Sequence, residues 1–243
     1  FRSLPKEPSS AEQPNQLFDR SQVLDQLRPP AHAPEFSRVF AARTCMMAGV
    51  GLTGVFLWYL VRFWVYGKAV VLTSAPLTIP AGFLIAGMAV ATLIGAALAS
   101  WAAGPISERI EEKNIPVARV VAGACLLYAA GLALAWGLGV WSTGTARENG
   151  MLLFALISGF AFGVYDSLGL ELVMDSLPDP RRAGHDLGIY ALANSAGLAL
   201  AAIIGALLVN AFEHSFGYYL LFPSAIVMVL LAGIVTLTTK SAE

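Results

Sequence analysis

The sequence predicts an all-α protein, a polytopic membrane bundle of six transmembrane helices. Of its 243 residues 57% are hydrophobic and only 13% are charged, whereas an average soluble domain is about 25% charged. Six apolar runs follow one another, and each is long enough to cross a hydrocarbon core that needs about 20 helical residues. Glycine and alanine are dense inside the runs, which allows helix backbones to approach closely in lipid and indicates a packed bundle.

A polar segment precedes the apolar runs. Residues 1–39 hold six of the 13 prolines and a scatter of charges, a composition typical of a solvated linker. Within it, residues 21–28 are expected to form a short helix that ends at Pro29 and Pro30, because proline cannot continue a helix. The chain begins with Phe1 rather than methionine, so we expect it to be part of a longer protein.

The membrane bundle is expected over residues 40–239. Segments with turn and charge signals separate the apolar runs, and the segment GPISERIEEKN after the second run is predicted to be a loop. The six runs are about 40–65, 79–103, 115–138, 150–174, 185–212 and 217–239.

Lysine and arginine predict the orientation of the bundle. If the N-terminal linker is cytoplasmic, 12 of the 15 basic residues lie on the inner side, with Arg43 counted among them. The outer side then carries only Arg62, Lys68 and Arg147. This positive-inside bias places both termini in the cytoplasm and predicts a multi-pass protein of the plasma membrane, the inner membrane in a bacterium.

Three carboxylates end the fourth apolar run, in the stretch GVYDSLGLELVMD. Glu171 and Asp175 are four residues apart and therefore share one helix face near the inner end. We interpret them as a cytoplasmic latch that pairs with basic residues of the inner loops; a solvated pair at a helix end is the alternative. The expected basic partners are Arg109, Arg119, Arg181 and Arg182.

Asp166 lies deeper and points elsewhere, since five helical residues separate it from Glu171 by a rotation of about 140°. No lysine or arginine of the six runs is expected at its depth. Deep ionisable groups in membrane helices lie on proton or ion paths, so Asp166 is the main candidate for a coupling or substrate residue. The alternative is a protonated side chain that is hydrogen-bonded to the backbone or to Asn194.

Four further side chains are candidates for a substrate cavity. Tyr165 and Asn194 are expected to donate hydrogen bonds. Trp58 and Tyr59 are expected to stack on a substrate ring, with helix packing or an interfacial aromatic belt as the alternative.

The predicted loop after the second run carries a recognisable pattern. Gly104, Glu108, Arg109 and Lys113 match the signature loop of the major facilitator superfamily, which the segment resembles, whereas Glu111 replaces a second glycine that the family often has. Residues 181–194, RRAGHDLGIYALAN, resemble the start of the eleventh helix in many bacterial and sugar–cation symporter-like facilitators. The stretch EFSRVFAARTCMMAGVGLTGVFLWYL resembles the seventh helix of actinobacterial members.

The resemblance implies that the chain is the C-terminal half of a twelve-helix transporter, with residues 1–39 as the central loop and residues 40–239 as helices seven to twelve in a 3+3 inverted repeat. It implies secondary active symport or antiport of a small solute by alternating access, with the signature residues as a gating loop. The expected partners are the lipid bilayer, an N-terminal six-helix half, a small-molecule substrate and a proton or sodium ion. A non-transporting scaffold or assembly subunit is the alternative.

Motifs of soluble enzymes are missing from the sequence. It has no GxSxG, Walker A, HExxH or dinucleotide-binding glycine pattern. Cys45 and Cys125 stand far apart without the spacing of a metal site. We therefore expect no enzyme activity, no cofactor, no bound metal and no nucleic-acid partner.

Overall fold

The computed structural model describes residues 34–66, 78–141, 144–177, 183–212 and 214–239, and the regular secondary structure in these ranges is helical. Among the described residues, α3 to α7 are long and apolar enough to cross a membrane. The all-α prediction is confirmed, and these five helices indicate a membrane protein. The elements are α1 (Pro34–Gly54), α2 (Leu57–Tyr59), a π-helical segment (Leu60–Val65), α3 (Thr78–Lys113), α4 (Val117–Trp141), α5 (Thr145–Asp175), α6 (Ala183–Ala211) and α7 (His214–Leu237).

The first apolar run, predicted as one helix over 40–65, consists of three successive helical pieces. Backbone hydrogen bonds from Val55 to Gly51 (2.9 Å) and from Leu60 to Phe56 (2.8 Å) carry the helix across the junctions. α1 begins at Pro34, six residues before the predicted run, because proline suits the first helical position and Glu35 favours the positive end of the helix dipole. The predicted helix over residues 21–28 lies outside the described residues.

The prediction of a loop at GPISERIEEKN is wrong, because α3 continues as helix to Lys113, with Pro105 inside it. The helix ends one residue later, where Asn114 adopts a left-handed φ of 50°. The amide of Ile115 bonds to the carbonyl of Ile110 (3.0 Å) and that of Asn114 to Glu111 (3.2 Å). This pair of bonds is a Schellman cap, which satisfies the last carbonyls of the helix.

The helices divide into a central set and a peripheral set. α4 packs on α5 and α7, whereas α3 packs mainly on α5, and α1 packs on α6 and α7. Half of the most apolar window of α4 and of α5 is buried, against 22% for α3 and for α6. α3 and α6 therefore present broad apolar faces to the outside of the bundle.

Glycines set the distance between α3 and α5. A Cβ added at Gly159 would collide with the carbonyl oxygen of Thr92, and one added at Gly95 with the carbonyl oxygen of Leu156. A Cβ at Gly163 would lie 2.7 Å from the Cβ of Ala99. The two backbones therefore touch over about two turns, as small residues allow in membrane bundles, and the candidate site lies along this contact.

Candidate functional site

Three polar side chains from three helices lie at one depth of the bundle. Arg43 is the tenth residue of α1, Asp166 the tenth from the end of α5, and Asn194 the twelfth of α6. At a rise of 1.5 Å per residue, each lies roughly 14 to 17 Å from the helix end nearest the chain segment that joins α5 to α6. Because α1 and α6 begin at the end of the bundle where α5 finishes, and α5 runs antiparallel to both, these three residues come together.

Arg43 joins these helices through directed bonds. Its Nη1 lies 2.7 Å from Oδ1 of Asp166, and its Nε donates to Oδ1 of Asn194, also at 2.7 Å. The expectation that no basic residue reaches the depth of Asp166 is wrong. Arg43 was assigned to the inner surface because the first helix was expected to begin at residue 40; the start at Pro34 places this residue well inside the bundle.

Aromatic rings surround the guanidinium group of Arg43. Its Cζ lies 5.6 Å from the ring centroids of Phe162 and Tyr165 and 5.8 Å from that of Tyr190. A cation within about 6 Å of a ring face is attracted by the ring quadrupole, most strongly where water is excluded. Arg43 is 7% exposed, so ring faces, a carboxylate and an amide take the place of water around its charge.

Asp166 faces a cavity on its other side. Its side chain is 55% exposed, whereas that of Arg43 is 9% exposed. The cavity has a volume of about 620 Å³ and lies between α1, α3, α4 and α5. Its described lining comprises Val50, Thr92, Ala96, Ser100, Ala103, Tyr128, Ser158, Gly159, Phe162, Gly163, Asp166 and Ser167.

An apolar cluster lies between the Arg43 site and the nearer helix ends. It is built from the buried residues Val39, Ala118, Leu172 and Val173, with Leu187 and Tyr190 packed against it. The cluster joins α1, α4, α5 and α6. On α5 its residues Leu172 and Val173 lie level with the end carboxylates but face the interior, whereas Glu171 and Asp175 are exposed.

The structure brings together three of the five side chains predicted to form the cavity. Asp166 lines it, and Tyr165 and Asn194 contact Arg43 directly behind it. Trp58 and Tyr59 do not line it; they follow α1 toward the opposite end of the bundle, where Tyr59 stacks on Tyr218 with ring centroids 6.3 Å apart. Sequence reasoning missed Arg43, Phe162 and Tyr190 as members of the site.

The residues predicted to form the latch and the gating motif lie at helix ends. Glu171 and Asp175 are exposed, and among the described residues no ion pair links them to Arg109 or Arg119. Arg181 and Arg182, the other two predicted partners, lie outside the described residues. The four residues of the gating motif, Gly104, Glu108, Arg109 and Lys113, are exposed on the last turns of α3 rather than in a loop.

The opposite end of the bundle is aromatic. Trp64 packs edge-on against Tyr219 with centroids 4.1 Å apart, and its carbonyl accepts a hydrogen bond of 2.9 Å from Nη1 of Arg147. Burial, together with the neighbouring Glu148 carboxylate, raises the pKa of Tyr66 to about 12. The contacts tie the π-helical segment to α5 and α7.

Comparison with known proteins gives no relative from which a function could be carried over. No family model, no curated protein and no solved structure matches the chain. The candidate site therefore stands on its geometry alone.

Proposed function

We propose that the chain is the C-terminal six-helix half of a secondary transporter of the major facilitator type and that it moves a small solute across the plasma membrane by alternating access. The observation that carries the proposal is the half-exposed Asp166 carboxylate, which borders a cavity between membrane helices and pairs with the buried Arg43. A charged residue at a helix centre costs about 2.5–3.5 kcal/mol on insertion scales. A bundle that served only as a scaffold would gain nothing from a charged residue at this position that offsets this free energy.

Six crossings follow if the helical pieces from Pro34 to Val65 count as one membrane passage. α1 by itself is too polar to be counted as a span, because it holds Glu35, Arg38 and Arg43. The protein partners of Arg43 offset the cost of its charge and make this passage possible. The apolar faces of α3 and α6 are then available to lipid or to an N-terminal half.

The charged cluster also supplies a way for the cavity to act on the helices. A proton or a ligand that engages Asp166 weakens its bond to Arg43, and Arg43 is the residue that links α1 to α5 and α6. Occupation of the cavity thereby changes the relative stability of two helix arrangements, which is the thermodynamic requirement for a binding-driven conformational change. Proton or sodium coupling enters through this carboxylate.

Accessibility of the cavity from both sides of the membrane tests transport without knowledge of the solute. Ser167→Cys, introduced after replacement of Cys45 and Cys125 by alanine, places a thiol on the cavity wall. We expect a membrane-impermeant maleimide to label it both in intact cells and in inverted vesicles, because alternating access exposes one site to each side in turn.

Two exposed positions at opposite helix ends serve as controls. Glu112→Cys at the end of α3 should react only from the cytoplasm, and Thr145→Cys at the start of α5 only from outside. Labelling of Ser167→Cys from one side alone would favour the scaffold function. A reversed pattern at the controls would overturn the orientation.

A further inference from the structure

We propose that the cavity beside Asp166 binds an organic cation, an ammonium group that donates hydrogen bonds and is carried on an apolar body. The inference rests on the proposed transport function, since it names the chemical class of the solute. It follows from the charge of the cavity wall, from the hydrogen-bonding capacity of the wall, and from its apolar remainder.

The charge of the wall is negative. Among the twelve described residues that line the cavity, Asp166 alone carries a formal charge. Arg43 is not part of this wall and bonds to Oδ1 of Asp166 from the buried side. A ligand in the cavity therefore meets the carboxylate before the guanidinium, and the interaction favours a positive group.

The four serine and threonine hydroxyls of the described wall offer acceptors and no free donors. A serine or threonine hydroxyl has one proton and two lone pairs. In each of the four serine and threonine residues of the wall, the proton is donated to a carbonyl of the same helix. Only lone pairs remain for a ligand. The bonds run from Thr92 to Met88 (2.9 Å), from Ser100 to Ala96 (3.1 Å), from Ser158 to Ala155 (3.0 Å) and from Ser167 to Gly163 (2.6 Å).

The phenol of Tyr128 adds one further hydroxyl to the described wall. A carboxylate ligand would therefore meet at most this one side-chain donor, and the Asp166 carboxylate on the same wall would repel it. A polyol, which needs donors and acceptors together, would leave most of its hydroxyl oxygens without partners, at the cost of buried unsatisfied polar atoms.

The rest of the wall suits an apolar body. Val50, Ala96, Ala103 and the ring of Phe162 complete it together with two glycines. Its volume of about 620 Å³ lies within the roughly 300–1,000 Å³ of small-molecule sites, which combine an apolar lining with a few placed polar groups. An arylalkylammonium ion has this combination of properties.

Three probes with one body and different charges test the proposal. We would titrate 3-phenylpropylammonium, 3-phenylpropanol and 3-phenylpropionate into the full chain in lipid nanodiscs and measure binding by calorimetry. The ammonium ion should bind at least tenfold more tightly than the alcohol, and the carboxylate should not bind. Equal or tighter binding of the alcohol or carboxylate, or no binding of any probe, would overturn the proposal.

Variants locate the binding at Asp166. Asp166→Asn should weaken ammonium binding at least tenfold and alcohol binding much less, because the alcohol carries no charge for the carboxylate to attract. Arg43→Gln removes the competing positive charge and should strengthen ammonium binding. Glu112→Gln removes an exposed carboxylate far from the cavity and should have no effect. Unchanged binding in Asp166→Asn contradicts the assignment, and the comparison of probes on the unmodified chain needs no variant to fold.

The outcomes separate this inference from the transport proposal. Selective binding of the ammonium ion with labelling of Ser167→Cys from one side only would leave the ligand class standing and refute transport. Labelling of Ser167→Cys from both sides, together with preferential binding of the carboxylate, would support transport and refute the proposed ligand class.

Discussion

The carboxylates of α5 lie within ten residues of one another but in two different environments. Asp166 is bonded to the buried Arg43 inside the bundle, whereas Glu171 and Asp175 are exposed near the end of the helix and, within the described part of the chain, form no ion pair. Leu172 and Val173, which alternate with the end carboxylates along α5, face inward and belong to a buried apolar cluster. Water can solvate the end carboxylates, whereas the inner carboxylate lies between the cavity and the buried Arg43, whose charge requires a protein partner.

The observed ion pair is not the one that the local sequence predicts. The spacing of Glu171 and Asp175 on one helix face predicts that these two carboxylates form ion pairs with arginines, because basic residues are frequent near that end of the helix. The pair that forms instead joins α1 to α5. Where solvent is available an exposed ion pair contributes little, with a median of about 0–1 kcal/mol, so the ends of the bundle impose no pairing.

The largest expected difference between the two regions comes from removing each carboxylate. Asp166→Leu leaves a buried guanidinium without its counter-charge and should lower the free energy of unfolding by roughly 3 kcal/mol, the lower end for a broken buried pair because Asp166 is half exposed. Asp175→Leu should change it by less than about 0.5 kcal/mol. Denaturation by SDS in mixed micelles measures both.

The double variant Arg43→Met/Asp166→Leu sharpens this prediction. Removal of both charges leaves no uncompensated ion, so most of the lost stability should return. Equal losses in Asp166→Leu and Asp175→Leu would show that the two regions do not differ.

A second difference concerns two glycines of α5. Gly159→Ala forces a Cβ against the backbone of α3 at Thr92 and should cost about 2 kcal/mol through displacement of that helix. Gly169→Ala, where an added Cβ meets no atom within 4 Å, should stabilise the protein by roughly 0.5–1 kcal/mol, because alanine restricts the unfolded chain. Unfolding in SDS is again the measurement, and a loss at Gly169 as large as that at Gly159 would refute the packing argument.

A smaller effect is expected at the amide partner of Arg43. Asn194→Ala removes the acceptor for Nε and should cost about 1.5 kcal/mol, as for hydrogen bonds to charged groups. Asn210→Ala, at an exposed position of the same helix, is the matched control and should be close to neutral. Thermal unfolding followed by tryptophan fluorescence compares the two, and similar melting temperatures would argue against the bond.

The smallest effect is expected for the pair Glu171 and Arg109, which the structure leaves apart. In a double-mutant cycle with Glu171→Gln and Arg109→Gln, the coupling energy in unfolding should stay below about 0.5 kcal/mol, whereas contacting pairs reach 0.5–3 kcal/mol. A larger coupling energy would show that Glu171 and Arg109 interact, as the latch prediction requires. The same cycle with Arg119, Arg181 or Arg182 tests the other predicted partners.

Helix positions were predictable where apolar runs are long and clearly bounded. The run predicted over 185–212 corresponds to α6 at Ala183–Ala211 within two residues at each end. The predicted end of the second helix at residue 103 was wrong, because Gly104 and Pro105, which follow it, are usual loop signals. The stretch from Ile106 to Lys113 nevertheless favours helix, and Asn114 with Pro116 marks the true end.

Part of the candidate site was predictable, because polar side chains are conspicuous inside apolar runs. Asp166, Tyr165 and Asn194 stood out as polar side chains in apolar runs, and all three belong to the observed site. Arg43 was missed because its depth depends on where α1 begins. With Pro34 and Glu35 taken as the start of the helix, a count of ten residues from each inner end would have aligned Arg43 with Asp166. The Phe162 and Tyr190 contacts arise from packing between helices and have no local signal.

The dependence of Arg43 on distant partners has a consequence for the biogenesis of the protein. Asn194 follows Arg43 by 151 residues, and at a synthesis rate of about 5–20 residues per second it leaves the ribosome roughly 8–30 s later. Asp166 leaves the ribosome before Asn194, so for most of that interval, until α5 has been made, the guanidinium has neither its carboxylate nor its amide partner. α1 is therefore among the last helices of this bundle to settle in the bilayer, although it precedes the others in the sequence, and the insertion machinery must tolerate an arginine that waits for α5 and α6.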